Sequence, residues 1–453
     1  MSINYNQKIP KDVLEIIVAI EKAGYEAYIV GGCVRDMLMH REPHDFDITT
    51  SAKPEAIKNI FKRTYDTGIK HGTVTVILSH EHYEVTTYRI EGEYKDFRRP
   101  EEVSFVEDIT LDLSRRDFTM NAIAYHPVRG FIDPYKGIED IKRKCIRSVR
   151  DASERFTEDA LRILRAIRFS AQLQFEIEES TLKGISECKD LLMHISKERI
   201  RDEFIKIGIS PSPSHIHKLY ELKLLQYIVP EFIGAYQTPQ NHPHHIYNVA
   251  EHTIVAMEHT PPDVFLRLTL FLHDIGKINT RTTDKKGIDH FYNHAEESVK
   301  ILKKVLKDLR LDNHTIRDMS LLVEYHDYHL RNKISKISIK KLLSIMGPDL
   351  FDQLMIVQFA DVKAQNPQKL APKLEMIEQQ KAIKEEILKN GECYNKAMLT
   401  ITGQDLIEGG IPRGEVIGRL LEKALDYVIR KPEANKKSGL IAYCLEQYEK
   451  KKK

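Results

Sequence analysis

Residues Tyr28 to Thr50 read YIVGGCVRDMLMHREPHDFDITT. Tyr28, Ile29 and Val30 make a short apolar strand, Gly31 and Gly32 a turn, the segment carrying Arg35 and Asp36 a short helix, and the segment holding Asp45 and Asp47 a second strand. Residues two apart on a strand share a face, so both carboxylates are expected to point into one site. At neutral pH such a pair repels itself, and a bridging divalent cation relieves the repulsion. Oxygen-only ligands favour magnesium. The glycines allow a phosphate to approach the backbone, and the following helix N-terminus offers free N–H groups. Together these features imply phosphoryl-group chemistry with two metals and a nucleoside triphosphate.

Working outward, VLEIIVAIEKAG gives a helix from about Pro10 to Ala23 that ends at Gly24. Another helix starts at Ser51-Ala52-Lys53-Pro54, with the proline in its first turn. Gly72 to Leu78 is β-branched and strand-like. A turn at Ser79 to Glu81 leads into Tyr83 to Arg89, whose alternation puts Glu84, Thr86 and Tyr88 on one face. These elements predict a helix-flanked mixed sheet. A neighbouring strand in that sheet would bring Glu84 beside Asp45 and Asp47 as a third acidic group. Between Arg89 and Leu113 the chain is dense in charge, and a mobile loop over the cleft is expected. Leu113 to Tyr125, LSRRDFTMNAIAY, is read as a helix capped by Ser114. Arg115 and Arg116 would oppose its dipole unless an anion such as a triphosphate lies there.

GGCVRD followed by HDFD resembles the head of the class II nucleotidyltransferases, the family of tRNA CCA-adding enzymes and bacterial poly(A) polymerases. The resemblance implies that Asp45, Asp47 and Glu84 are catalytic, with Glu84 supplied by EVTTYR, and that Gly31, Gly32 and Arg35 meet the nucleotide. It also implies that RRDFTxN meets ribose and phosphates, Asp117 bonding a ribose 2′-hydroxyl while Arg116 and Asn121 bind the nucleotide. An Asp-to-Gly hinge element of the family is matched from Asp133 to Gly137.

Phe156 to Phe169 is a strong helical pattern with Thr157 at its cap, placing Asp159 and Arg162 three apart on one face. A carboxylate accepts from an exocyclic amino group, and a guanidinium donates to a ring nitrogen and an adjacent acceptor. Cytosine and adenine both present an amino donor beside a ring-nitrogen acceptor, whereas guanine and uracil present the opposite. One Asp-Arg pair can therefore accept CTP and ATP and reject GTP and UTP. EDALR stands where the resembled family keeps its base-reading EDxxR, with Arg165 one turn on at the nucleotide, and Glu198-Arg199-Ile200 matches the family's ERI element.

A second constellation comprises His252, the pair His273-Asp274 in LFLHDIGK, His294, His326 and Asp361. These groups can meet only across a helical bundle, and imidazole with carboxylate suits a transition metal better than magnesium. The set resembles the H…HD…D ligands of the HD phosphohydrolase superfamily, with His294 and His326 where its two-metal members place further ligands.

The resemblance covers nearly the whole chain and implies an α+β architecture: a small mixed-sheet nucleotidyltransferase head (1–148), a helical neck with the base-reading element (149–210), an HD-type helical body (211–370) and a helical RNA-binding tail (371–453). In the tail, ITGQDLIEGGIPRGEVIG has glycine-rich turns suited to a phosphate backbone, with Arg413, Arg419 and Lys423 as local cations. Across 453 residues the formal charge is +2 from 69 basic and 67 acidic side chains, which neither demands nor forbids nucleic acid. Cys33, Cys145, Cys188, Cys393 and Cys444 have neither metal spacing nor a disulfide framework, and no run of apolar residues is long enough to span a membrane. A soluble, cytoplasmic protein without a membrane partner is expected; its oligomeric state is left open. The expected activity is addition of CMP and AMP from CTP and ATP to the 3′-hydroxyl of tRNA. Poly(A), A-only or CC addition are alternatives within the class, and an HD phosphohydrolase or an RNA-binding scaffold are alternatives outside it.

Overall fold

Strand β1, Ala27–Val30, is buried along its whole length and occupies an interior place in a seven-stranded sheet. In the computed structural model, residues 5–43, 45–92 and 103–450 are described. The chain divides into two compact units, Met1–Ile228 and Val229–Lys453.

In the first unit, helix α1 (Lys11–Lys22) buries Val13, Ile16, Ile17 and Ile20, one stripe at helical spacing, and the chain turns at Gly24 with φ +87°. It packs on β1 and on β2 (Asp47–Thr50), with α2 (Gly32–Leu38) between the two strands in sequence. Helix α3 (Pro54–Ile60) leads to β3 (Thr64–Gly68), β4 (Thr73–Leu78) and β5 (Glu81–Thr87). Ser79 and His80 join β4 to β5 with φ of 49° and 71°, both left-handed, as a two-residue hairpin requires. With β8 at Ala124–His126 and β9 at Gly130–Ile132, the strand order is β3-β4-β5-β2-β1-β8-β9, and the pairing of β2 with β5 is parallel while the rest is antiparallel. β6 (Arg89–Glu91) and β7 (Val103–Phe105) form a separate pair within the stretch expected to be a loop, of which residues 93–102 lie outside the described residues.

The helix expected from Leu113 to Tyr125 is absent. Helix α4 (Ile109–Ser114) ends where that helix was to begin, with Asp108 as its cap, and Ser114 is its last residue. Arg115 and Arg116 thus follow a helix C-terminus, where positive charge is favourable. Beyond them lie a single 3-10 turn, Thr119–Asn121, then β8 (Ala124–His126) and β9 (Gly130–Ile132). Phe118, Met120, Ala122, Ile123 and Ala124 are all fully buried, so no stripe faces solvent. The Thr119 N–H donates to Arg147 O at 2.9 Å, and Asp117 accepts from the Phe118 N–H at 2.8 Å, removing helical partners.

Helices α5 (Gly137–Arg143), α6 (Ala152–Glu158), α7 (Leu161–Leu173), α8 (Glu179–Cys188) and α9 (Lys197–Gly208) complete most of the unit, α6 packing on α8 and α7 on α9. The continuous helix expected over Phe156 to Phe169 is broken: Asp159 has φ −138° and ψ 101° between α6 and α7. Thr157 lies inside α6 and donates to Ser153 O, while Asp151 is the cap. Two short helices follow, α10 (Ile216–Glu221) and α11 (Leu225–Ile228), with Lys223 left-handed between them.

The second unit is largely helical. Helix α12 (Val249–Glu258), started by a capping box between Asn248 and Glu251, packs on α13 (Val264–His273); α14 (Lys277–Thr280), α15 (His294–Asp308), α16 (Asn313–Tyr325) and α17 (Tyr328–Arg331) follow. α18 (Lys336–Lys363) kinks at Gly347, φ +75°, before Pro348, and packs against α12, α13, α16 and α19 (Ala371–Lys389). α20 (Gly403–Glu408), α21 (Glu415–Arg430) and α22 (Lys437–Glu449) share a small core that includes Leu406, Leu420, Val428 and Leu440. Among the described residues no helix is long and apolar enough to cross a membrane.

Candidate active site and metal centre

Asp45 and Asp47 are exposed while Phe46 between them is buried, so both carboxylates emerge on one side of the chain. Only Asp47 is within β2; Asp45 precedes the strand, contrary to the expectation that one strand holds both. In the parallel pairing Ile48 lies opposite Val85, which sets Asp47 beside Glu84 one residue earlier. The three carboxylates line a cavity of about 630 Å³ together with Thr67, Thr75 and Tyr83. Partial burial pushes the Asp47 carboxyl above its ordinary value, as does Asp45, while Arg116 pulls it back; Glu84 is raised by burial, Asp47 and Asp45. The donors are all oxygen, and their mutual repulsion favours a hard cation, so the set fits magnesium. The expected alternation on β5 stops at Thr87, because Tyr88 is wholly buried.

Gly31 answers a steric need within the protein. Its φ is +83°, and a Cβ there would lie 2.8 Å from Arg116 Nη1. The glycine thus lets Arg116 reach over the turn towards Asp47. At Gly32, the first residue of α2, a Cβ would meet only Arg35 Nη2, at 3.7 Å. Asp112, which the sequence reading passed over, is fully buried; it accepts from Thr49 Oγ1 at 3.2 Å and Arg115 Nε at 2.9 Å and lies 3.9 Å from Arg116. Its signal was an acidic residue three and four positions before an Arg pair.

A continuous polar network joins four of the expected nucleotide-binding residues. Arg35 Nη1 donates to Asn121 Oδ1 at 2.9 Å, Asn121 Nδ2 donates to Asp117 Oδ1 at 3.0 Å, and Arg165 donates to Asp117 Oδ2 through Nε at 2.8 Å and Nη2 at 2.5 Å. Burial opposes the Asp117 charge, but Arg165 and the hydrogen bond from Asn121 hold the carboxyl well below its ordinary value. Both Asp117 oxygens are engaged by the protein and the residue is 8% exposed, so its carboxylate is held in a fixed position.

Asp159 and Arg162 do not form the one-face helical pair expected. The break at Asp159 turns its carboxylate to Arg199, which donates through Nη1 at 3.2 Å and Nη2 at 2.8 Å. Arg162, 8% exposed, donates to Glu158 Oε2 at 2.6 Å, Arg155 O at 2.9 Å and Arg115 O at 3.0 Å.

In the second unit, His252, His273, Asp274 and Asp361 converge within metal-binding distance, and Asp274, His294 and His326 form an adjoining group. Each imidazole is oriented from behind: His252 Nδ1 faces Ala364 O at 3.2 Å, His273 Nδ1 Leu270 O at 2.6 Å, His294 Nδ1 Phe291 O at 3.0 Å and His326 Nδ1 Val323 O at 2.7 Å. A backbone acceptor at Nδ1 fixes the tautomer that leaves the Nε2 lone pair for a ligand. His252 Nε2 lies 2.8 Å from Asp361 Oδ1, while His273 Nε2, wholly buried, has no hydrogen-bond partner. Asp274 divides its oxygens: Oδ2 lies 3.3 Å from His252 Nε2 and 3.2 Å from His273 Nε2, and Oδ1 lies 3.4 Å from His294 Nε2 and 3.6 Å from His326 Nε2. Burial opposes every charge here, yet the carboxylates raise His252 and His273 and are themselves held well below their ordinary values. The donor chemistry and the inward-facing Nε2 of His273 fit a transition metal. Lys277 Nζ stands 2.6 Å from Asp274 Oδ2 and donates to Gln240 Oε1 at 2.7 Å. The glycine of HDIGK has a packing reason the sequence did not reveal: a Cβ on Gly276 would lie 2.2 Å from His294 O.

In the tail, Arg419 and Lys423 are exposed one turn apart on α21, and Arg413 is exposed in the preceding turn. Lys423 Nζ donates to Gln447 Oε1 at 3.2 Å.

Three families match the chain in order: a poly A polymerase head domain over residues 27–147, a probable RNA and SrmB-binding site of polymerase A over 174–235, and an HD domain over 244–364. The class these define is a class II nucleotidyltransferase head followed by an HD-bearing helical region. The chain is 50% identical to a CCA-adding enzyme of Lactobacillus johnsonii over 234 residues, 52% of this chain and 59% of that enzyme. It is 53% identical to a CCA-adding enzyme of Enterococcus faecalis over 197 residues, 44% and 48% of the two chains. The chain thus spans about half the length of the curated relatives it matches. The crystal structure of the Bacillus stearothermophilus CCA-adding enzyme in complex with CTP superposes with a TM-score of 0.73 at 28% identity, covering 98% of each chain. A Thermotoga maritima CCA-adding enzyme complexed with tRNA shares the fold, with a TM-score of 0.59 at 20% identity over 98% of this chain and 97% of that one. Residues 27–147 thus belong to the poly A polymerase head family and residues 244–364 to the HD family, and the chain as a whole is similar to CCA-adding enzymes.

Proposed function

We propose that the protein adds CMP and AMP, from CTP and ATP, to the 3′-hydroxyl of tRNA, building or repairing a CCA end. The observation that carries this reading is the convergence of Asp45, Asp47 and Glu84 on one cavity in a head whose relatives are CCA-adding enzymes. The 3′-oxygen attacks the α-phosphorus in line, the new P–O bond forms as the α–β bridge breaks, and pyrophosphate departs. Asp45, Asp47 and Glu84 would hold magnesium ions, which when bound neutralise the carboxylates and polarise the reacting oxygens. Arg116, buried beside Asp47, supplies fixed positive charge next to the triphosphate, and the network from Arg35 to Arg165 holds the floor on which the nucleotide rests. Base choice is made at the break between α6 and α7: Asp159 accepts from the amino group of cytosine or adenine and Arg162 donates beside it, once Arg199 and Glu158 yield them. Arg413, Arg419 and Lys423 contact the tRNA backbone. The five unpaired cysteines support a reducing compartment, and we place the protein in the cytoplasm.

The test is product sequencing after incubating the purified protein with magnesium, all four nucleotides and tRNA lacking its 3′ end. CCA ends are expected; A alone, CC alone, an extending A tail or no extension would each overturn the assignment.

A second activity is favoured by one observation, the convergence of imidazoles and carboxylates in the second unit. We read it as a metal-dependent phosphohydrolase for 2′,3′-cyclic or terminal phosphates of RNA. A phosphate on the terminal oxygen removes the nucleophile that the head requires. Hydrolysis there, with water adding to phosphorus and the P–O bond breaking, restores it.

A further inference from the structure

Beside the HD centre lies a second cavity, of about 300 Å³, whose wall is composed quite differently from the carboxylate-rich centre. It shares the side chains of His245, Lys277, Leu330 and Lys373 with the narrow opening onto Asp274, His294 and His326, so the two spaces are contiguous. On one side stands the hairpin Arg281–Thr283 with Asp289–Phe291, which presents His290 and, just beyond, Tyr292. Their rings are stacked, with centroids 5.6 Å apart and planes 8° from parallel, and Tyr292 is 68% exposed. The hairpin is anchored through Asp289, which is buried and accepts from the Asn241 N–H at 2.9 Å, Thr283 Oγ1 at 2.6 Å and Arg281 Nε at 3.0 Å. That acid is thereby neutralised, and the remaining polar lining is cationic or imidazole: Lys277, Lys373, His242, His244 and His245. Nδ1 of His244 and of His245 are buried without a hydrogen-bond partner. Lys373 Nζ donates to Gln365 Oε1 at 2.5 Å, and Gln365 Nε2 reaches both oxygens of Asp361 at 3.3 Å, which ties this wall to the centre itself.

An exposed, rigidly backed aromatic face next to lysines and unsatisfied imidazoles answers to a ligand with a flat π-face and an anionic group. Those are the two halves of a nucleotide. We infer that this cavity is the recognition mouth of the HD centre and takes the terminal nucleotide of a single-stranded RNA 3′ end, the base lying on Tyr292 and the phosphate between Lys373 and His244. The inference rests on reading that centre as a phosphohydrolase, and it adds which residues select a nucleotide over any small phosphoester.

The full chain, loaded with manganese or nickel, supplies the test. Calorimetry with guanosine 3′-monophosphate, and with a short oligoribonucleotide ending in guanosine 3′-phosphate, reads binding away from the head, which we propose rejects guanine. Y292A should weaken both ligands about 10-fold, Y292F should restore them, and K373A should weaken both. The oligoribonucleotide should bind at least as tightly as the mononucleotide. Hydrolysis of glycerol 2-phosphate, a phosphoester with no π-face for Tyr292 to bind, should stay within about twofold in Y292A, and the melting temperature of the variant should be unchanged because the ring is exposed. Binding indifferent to both Y292A and K373A would overturn the inference, as would a mouth that takes the mononucleotide and excludes the oligoribonucleotide. If the loaded protein hydrolyses nothing yet binds nucleotides in a Tyr292-dependent way, the phosphohydrolase reading fails and the recognition mouth stands.

Discussion

The two acidic centres of this chain hold their charge in opposite ways. In the head, Asp45 and Asp47 are exposed and Glu84 joins them across a strand pairing, with Arg116 close by but, among the described residues, no hydrogen-bond partner fixed at each oxygen. In the second unit, Asp274 and Asp361 are buried among imidazoles whose rings are each fixed from behind by a backbone carbonyl. The first arrangement suits hard cations that would come and go with the proposed substrate, because among the described residues nothing pre-forms a coordination shell. The second suits a resident ion, since its ligands are already desolvated, oriented and in the right tautomer.

The largest effect that could break this comparison is loss of the open site. D45A or D47A should reduce nucleotide transfer to tRNA at least 1,000-fold, about 4 kcal/mol of barrier, while p-nitrophenyl phosphate hydrolysis by the metal-loaded protein is unchanged. Retention of a tenth of wild-type transfer would remove the carboxylates from the mechanism. Next in size is H273A with D274A. Elemental analysis should find the transition metal gone and hydrolysis lowered by about 100-fold or more, with CCA addition intact. Wild-type protein that takes up no transition metal under any loading condition would refute the resident-ion half of the comparison. Smaller again is base choice: replacing both Asp159 and Arg162 should relax discrimination against GTP and UTP by about 10- to 100-fold, the worth of one good polar pair. Unchanged selectivity in competition assays would place base reading elsewhere.

The smallest effect concerns pH. Asp47 and Glu84 have raised folded values, so their ionisation costs stability as pH rises through those values. Magnesium should therefore raise the melting temperature more at neutral pH than near pH 4.5, and a magnesium shift that grew with acidity would contradict the site's electrostatics. Asp117 has the opposite sign: its depressed value contributes stability that is complete above the ordinary carboxylate range of about 3.9 and is lost as pH falls from there through the folded value. Acid titration of D117N followed by calorimetry should lack that loss.

Much of this was legible because the chemistry is carried by rare combinations. The alternation of Asp45, Phe46 and Asp47 predicts a shared face, and the spacing of Val13, Ile16, Ile17 and Ile20 predicts a helix; both depend only on local geometry. Imidazoles and carboxylates scattered from His252 to Asp361 have few other reasons to assemble in a helical interior. What stayed hidden was decided by distant partners. In TEDALR the apolar period runs on through the break; Asp159 Oδ1 accepts from the Leu161 N–H at 3.1 Å, and the bidentate bond to Arg199, 40 residues away, completes its engagement outside the helix. The dense apolar run after Arg116 imitates a helix because a segment buried on every side carries no periodicity. Strand β3 was missed for the converse reason: Thr64 to Gly68 is exposed or half-exposed throughout and shows no alternation. Gly276 leaves the space into which α15 fits, a need set by packing from outside HDIGK.

Asp274, with one oxygen turned to His252 and His273 and the other to His294 and His326, has a consequence for how the HD centre fills. One negative charge cannot be neutralised twice, so if each group held an ion, one bound by the first group would lessen the attraction for a second, and by linkage the second would loosen the first to the same degree. Loading would then be sequential, and a half-filled centre would be a distinct species with its own range of metal concentration. The carboxylate shared by the two groups would also make them compete.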